Sequence, residues 1–327
     1  MPRTVTEGDV ALYKALCGPR FALQSSDEFA RQVGLPCAPV DDLLTFNLVL
    51  GQSAPDVAAN ASAHRGCRHA CFGAAVYPGD TLTAMSTVTG LAPGSDSPSG
   101  AVYFDTVGVN QDGAPVLSVS QRIEVSTREG NAPCAATQIP SVAETVDPSD
   151  MSLPLGLRVK EWSYVHAGAP HRWGDYAPGE IIDHGSGVTP HGAEHKLASR
   201  LLGSVSAEPI NPHVASDAAV VSDAMSGGYL FSLARSLSYR GLENTFGLLA
   251  INGVEYCNPM FAGDTLYAST EVLERLKLPG VEKVGALRLR LVATKNRAPC
   301  TAPTPDGNGR SARDVVLHVD YVAAVPV

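Results

Sequence analysis

No run of apolar residues in this 327-residue chain approaches the roughly 18 that a membrane crossing needs, so no membrane-spanning helix and no membrane partner are expected. Positive charge is also scarce. The chain has 24 Lys and Arg against 33 Asp and Glu, a formal net charge of −9, which leaves no basic surface for a phosphate backbone and argues against nucleic acid as a partner. Aromatic residues make up only 6% and charged residues 17%, while 44% is hydrophobic, a balance that excludes disordered and coiled-coil classes. Cysteine is limited to seven scattered positions, an odd number that fits reduced thiols better than a disulfide framework. Residues 1–8 lack the apolar stretch and small-residue cleavage site of a secretory signal, so a cytoplasmic location is expected. Turn formers, by contrast, are plentiful, with 31 Gly and 24 Pro. The length suggests about two domains.

An internal repeat organises the chain. Tyr77-Pro78-Gly79-Asp80-Thr81-Leu82-Thr83-Ala84 returns as Phe261-Ala262-Gly263-Asp264-Thr265-Leu266-Tyr267-Ala268, and Val5-Thr6 followed by Ala11-Leu12-Tyr13-Lys14 returns as Val188-Thr189 followed by Ala193-Glu194-His195-Lys196. A nearly constant offset across the repeat makes the chain two tandem copies of one unit. Each copy opens with a short helix, at 7–17 and 190–202. A longer helix follows at about 40–52 and 226–240, where Leu43, Leu44, Phe46, Leu48 and Val49, then Leu230, Phe231, Leu233, Ala234 and Leu237, recur at helical spacing.

Three or four strands come next in each copy. Pro78-Gly79-Asp80 and Ala262-Gly263-Asp264 read as turns launching strands 81–89 and 265–273. Val102 to Val109 and Val116 to Val125 alternate on either side of Gln111-Asp112-Gly113, a hairpin pattern. In the second copy, 287–292 and 315–325 flank a Pro/Gly-rich loop at 298–310. One long helix and an antiparallel sheet must bury their apolar faces against each other. The expected class is α+β, a double hot-dog with units at 1–130 and 157–327 joined by a proline-rich linker at 131–156. Residues 175–184 read as an opening strand of copy two that copy one lacks, so that strand is either dispensable or belongs to a longer N-terminus.

The sequence resembles the tandem hot-dog MaoC-like hydratases, most closely the mesaconyl-CoA hydratase (β-methylmalyl-CoA dehydratase) type. The resemblance is carried by Ser26-Asp27-Glu28-Phe29-Ala30-Arg31, Gly34-Leu35-Pro36, Ala38-Pro39-Val40-Asp41, Pro170-His171-Arg172-Trp173-Gly174-Asp175-Tyr176, Ala193-Glu194-His195 and Ser232-Leu233-Ala234-Arg235-Ser236-Leu237-Ser238, and by the stretches 261–272 and 285–292. It spans nearly the whole chain in order. It implies interconversion of a β-hydroxyacyl-CoA and its enoyl-CoA, an acyl-CoA substrate, no metal or redox cofactor, and a homodimer.

Hydration of an enoyl thioester needs a base to activate water, an acid to protonate the α-carbon and N–H groups to hold the enolate oxygen. In single-unit MaoC-like hydratases the first two are an Asp and a His in a Gly-Asp-x-Asn-Pro-x-His stretch. Copy one departs from it, with Pro19 and Gln24 at the two positions, and is expected to be structural. An ungapped alignment of copy two also lacks the dyad, which keeps open a hot-dog thioesterase or acyl-thioester decarboxylase, or a non-catalytic acyl-thioester-binding protein, as alternatives. A shifted reading of copy two finds Glu208, Asn211 and His213 in the right order, to hold or activate water, orient it and transfer a proton. Gly227 and Gly228, before the second long helix, would form the oxyanion hole or else permit close packing. Arg172, Arg235 and Arg240 are candidates for the phosphates of coenzyme A or a substrate carboxylate. His171 and His195 read as structural. His64, Cys67, His69 and Cys71 suggest a metal cluster, with the last three on one strand face, but four ligands along one extended strand cannot close a tetrahedron.

Overall fold

The computed structural model describes residues 1–57, 61–93, 99–126, 137–203, 224–298 and 312–327. Copy one opens with strand β1 (Arg3–Thr4) and helix α1 (Glu7–Cys17). Thr6 and Asp9 form a capping box there: the Asp9 N–H donates to Thr6 Oγ1 (3.1 Å) and the Thr6 N–H to Asp9 Oδ2 (2.8 Å). Gly18 closes α1 in the left-handed conformation, φ 69°. Short helices α2 (Ala22–Ser25) and α3 (Asp27–Gln32) lead to the long helix α4 (Asp42–Val57), and strands β2 (Ala61–Phe72), β3 (Thr81–Pro93), β4 (Ser99–Val109) and β5 (Pro115–Ser126) follow.

Copy two repeats this order after helix α5 (Tyr164–Ala167) and strand β6 (Ile181–Asp183). Helix α6 (Gly192–Leu202) ends on Gly203 at φ 68°, as α1 ends on Gly18, and helix α7 (Gly227–Leu237) is the second long helix. Strands β7 (Gly247–Tyr256), β8 (Leu266–Lys277), β9 (Val284–Lys295) and β10 (Val315–Pro326) complete it. The long helices begin and end one to five residues from the bounds expected from periodicity, since apolar spacing marks the buried stripe and not the caps.

All ten strands form one sheet in the order β1-β3-β4-β5-β2-β7-β10-β9-β8-β6. The halves join where β2 runs antiparallel to β7, pairing Cys67 with Val254 and Cys71 with Ala250. The curved sheet wraps α4 and α7, whose buried stripes meet, with Phe46 and Phe231 edge to face at 6.3 Å. Burying such a ring stabilises by roughly 1.5–3 kcal/mol. A second core lies on the other face of copy two's sheet, where Leu23, Phe29 and Val33 of copy one, Val146 of the connecting segment and Trp162 at the start of copy two pack on Phe246, Leu249 and Ala324. The Val146 N–H donates to Asn252 Oδ1 at 2.8 Å and pins that segment down.

Two local expectations change. The opening strand expected at 175–184 shrinks to the three residues of β6, paired with β8 at the sheet edge, because Pro178-Gly179 turns the chain before it. Cys67, His69 and Cys71 do not share a face. His69 adopts φ 50°, the register with β5 shifts between Arg68 and Cys71, and the two cysteines pack against different cores. No group of three metal-ligating side chains occurs among the described residues.

Candidate active site

Two equivalent places in the fold could hold reacting groups: the N-terminal ends of the two long helices. Matching hydrogen bonds relate them. Val40 N–H donates to Val76 O as Met225 N–H donates to Met260 O, and Thr45 N–H to Asp41 O as Leu230 N–H to Ser226 O. Within the helices the offset is therefore 226 − 41 = 185, which makes Asp41 the counterpart of Ser226, Leu43 that of Gly228 and Asn47 that of Ser232.

The start of α4 is closed by carboxylates. Asp41 Oδ1 accepts the Leu43 N–H (2.9 Å) and the Tyr13 hydroxyl (3.3 Å), so the residue caps its own helix. Asp42 Oδ2 accepts the Leu248 N–H at 2.8 Å. Burial raises the Asp41 carboxyl above the usual range. Burial, and next the charge of Asp41, push Asp42 up to about 7 against the pull of the Leu248 N–H and Arg235. A cavity of about 40 Å³ adjoins Asp42, walled by Leu23, Gln24, Val40, Phe246 and Leu248. A smaller one of about 10 Å³ beside it is lined by Phe21, Asp41, Arg235 and Thr245 as well. Gln24 donates through Nε2 to Phe246 O (2.9 Å), and its buried Oε1 has no partner among the described residues. An enolate placed here would face two carboxyls in place of the free N–H groups it needs.

The start of α7 is different. Among the described residues the Ser226 side chain makes no capping bond and its buried Oγ finds no partner. The Ser226 N–H donates to Nε2 of buried His195 at 2.9 Å, and the imidazole stacks on Tyr229 at 6.2 Å. His195 thus anchors the turn into α7, a structural task as its helical setting suggested. A Cβ on Gly227 would run into the Tyr256 ring, and one on Gly228 into the Asn47 carboxamide. Both glycines are required for close approach, and the turn they form keeps its N–H groups clear of any side-chain cap from Ser226.

The other expected site residues fall as follows. Glu208, Asn211 and His213 lie outside the described residues. Arg235 is buried at the α4 cavity, its guanidinium 3.8 Å over the Phe21 ring and donating to Ser238 Oγ (2.7 Å) and Thr245 Oγ1 (2.9 Å). It stands eight residues into α7, about 12 Å along the axis from the helix start at 1.5 Å per residue. Arg172 is exposed and covers the Tyr164 ring at 4.6 Å, and Arg240 is exposed beside Gly185. Of the three arginines only Arg235 lines a cavity described here. His171 is exposed. Asp42 escaped sequence reasoning because an Asp pair before an apolar run reads as an ordinary helix cap. Asn47 left a visible signal, a single amide within the apolar stripe 43–49.

No family model matches the chain. The chain is 44% identical over 325 residues to β-methylmalyl-CoA dehydratase of Chloroflexus aurantiacus, an alignment covering 99% of this chain and 92% of that protein. It is 45% identical over 330 residues to mesaconyl-CoA hydratase of Cereibacter sphaeroides, covering 100% and 94%. Among solved structures, a MaoC domain protein from Chloroflexus aurantiacus J-10-fl matches with a TM-score of 0.95 at 44% identity, covering 100% of this chain and 93% of that one. Rv0216 of Mycobacterium tuberculosis, described as a double hotdog fold, matches with a TM-score of 0.73 at 20% identity over 100% and 94%, a likeness of fold alone. The architecture is thus the double hot-dog of the MaoC-like proteins. The chain belongs to the family of the β-methylmalyl-CoA dehydratases and mesaconyl-CoA hydratases, acyl-CoA lyases that add or remove water.

Proposed function

We propose that this enzyme reversibly adds water across the double bond of a branched, dicarboxylic enoyl-CoA such as mesaconyl-CoA, and that the reaction runs in the copy-two half. Glu208 takes a proton from water as its oxygen attacks the β-carbon, Asn211 orients that water, and His213 delivers a proton to the α-carbon. The amides of Gly227 and Gly228 hold the thioester oxygen as it becomes an enolate. No metal or redox cofactor enters, since water and two proton transfers balance the reaction. Arg172 and Arg240, both exposed, suit the phosphates of coenzyme A. Arg235, at the other end of α7, suits a ligand at the α4 cavity. A homodimer working in the cytoplasm completes the reading.

The observation that carries the substrate class is the full-length identity to two relatives named for the same pair of reactants. The choice of copy two is supported by the contrast between the helix starts, one self-capped by Asp41 and one opening on Ser226-Gly227-Gly228 without a side-chain cap. The test is mass spectrometry of mesaconyl-CoA and other branched enoyl-CoAs incubated with the protein. Gain of one water is expected, with the rate lowered about 10²-fold or more in Glu208→Gln and in His213→Ala. Sedimentation analysis checks the dimer.

A further inference from the structure

The two long helices meet across the pseudo-two-fold axis at Asn47 and its counterpart Ser232, and the contact is lopsided. Asn47 Nδ2 donates to Leu43 O in its own helix (2.8 Å), to Ser232 Oγ (3.2 Å) and, more weakly, to Gly228 O (3.4 Å). The Ser232 hydroxyl in turn donates to Gly228 O at 2.8 Å. The Asn47 carboxamide oxygen rests on the Cα of Gly228, in the place a side chain would take. On the far side the Tyr256 ring fills the corresponding place at Gly227. In copy one the counterpart of Gly228 is Leu43, a residue with a full side chain, and the residue facing it across the axis is the short Ser232. Each helix start has its carbonyl held from within, Leu43 O by Asn47 and Gly228 O by Ser232. Among the described residues, however, a bond from the opposite helix reaches the α7 start alone, from Asn47 to Gly228 O.

Packing by itself does not demand this arrangement. An apolar pair would fill the same space without burying an amide, and Asn47 is buried with only 6% of its surface exposed. Resting on the reading that the Gly227 and Gly228 amides receive the thioester oxygen, we infer that Asn47 is a positioning residue for that oxyanion site, reaching from the copy that carries no acid–base pair into the first turn of α7. Asn47 and Ser232 both hold the Gly228 carbonyl and the Asn47 carboxamide bears on the Gly228 Cα, which together fix where the Gly228 backbone, and with it the Gly228 N–H, stands. A donor displaced by about 1 Å loses much of its worth to a developing oxyanion. Copy one thus takes part in catalysis without touching the reacting atoms.

The experiment is steady-state kinetics of the full chain carrying Asn47→Leu, which keeps the branched outline at a somewhat larger volume and removes the donor, with a melting curve on the same sample. The expected result is a kcat roughly 10- to 100-fold lower with KM changed by less than about threefold, in a protein that remains folded. Should Asn47→Leu fail to fold, Asn47→Ser, shorter and still polar, carries the test with the same expectation. A double-mutant cycle with Gly228→Ala should show coupling in kcat, because the added methyl meets Asn47 directly. Wild-type kcat in a folded Asn47 variant, or a loss that appears only in KM, overturns the inference. Full turnover in Glu208→Gln and His213→Ala would instead overturn the reading beneath it, so the two failures are told apart.

Discussion

Gly228 of α7 lies directly beneath the carboxamide of Asn47 of α4, close enough that no side chain fits between them. This contact joins the two copies at the point where the second long helix begins. It follows that Gly228→Ala must push the helices apart, as Gly227→Ala must push against Tyr256. Each is expected to destabilise by about 1–3 kcal/mol despite the better helix propensity of alanine. Chemical denaturation of the two variants checks this. A stability equal to or above wild type would show that the helix start is looser than described.

Asp42 should make the protein less stable as pH rises. Its carboxyl is pushed up to about 7 in the fold, against about 3.9 for a free aspartate. Between those values the native state holds a proton that the unfolded chain has released, and this advantage is used up as pH passes through 7. Asn at this position keeps an oxygen for the Leu248 N–H and carries no charge. Asp42→Asn is therefore expected to melt close to wild type at pH 4 and increasingly above it as pH rises, by several degrees at pH 8. A difference independent of pH would contradict the raised carboxyl.

His184 should act on the acid side. The ring is buried, with Nδ1 2.7 Å from Arg240 O and Nε2 2.7 Å from Thr270 Oγ1, so Nδ1 carries the proton and Nε2 accepts. Burial lowers it to about 4. From pH 6.5 down to 4 the unfolded chain takes up a proton that the native ring refuses, so stability falls as pH falls through that window. His184→Gln, less stable at pH 7 for want of the ring's fit, should lose less stability than wild type between pH 7 and 4.5 in urea titrations.

Much of the fold is legible in the sequence because the repeat is written in turn chemistry. Pro78-Gly79-Asp80 and Ala262-Gly263-Asp264 place glycine where φ reaches 101° and 92°, and the strands they launch follow. The bulge at His69 was hidden, since alternation assumes an unbroken pleat. The site was legible in part. Gly227 and Gly228 do open the second long helix, and the pair is explained by Tyr256 and Asn47, contacts that only the tertiary structure supplies. Arg235, in sequence a candidate for a phosphate or a carboxylate, is buried, because its guanidinium finds Phe21, Ser238 and Thr245. Asp42 was hidden for the converse reason: a carboxylate at a helix start is commonplace, and its burial depends on Leu248 from the other copy.

The central claim is that copy two hydrates a branched enoyl-CoA while copy one supports it, and incubation with mesaconyl-CoA followed by mass spectrometry tests it most directly. Gain of one water by wild type and by Asp42→Asn, with the rate lowered about 10²-fold or more in Glu208→Gln and His213→Ala, is the predicted result. Activity that survives both copy-two substitutions but vanishes with Asp42→Asn would place the chemistry at the α4 cavity and contradict the account.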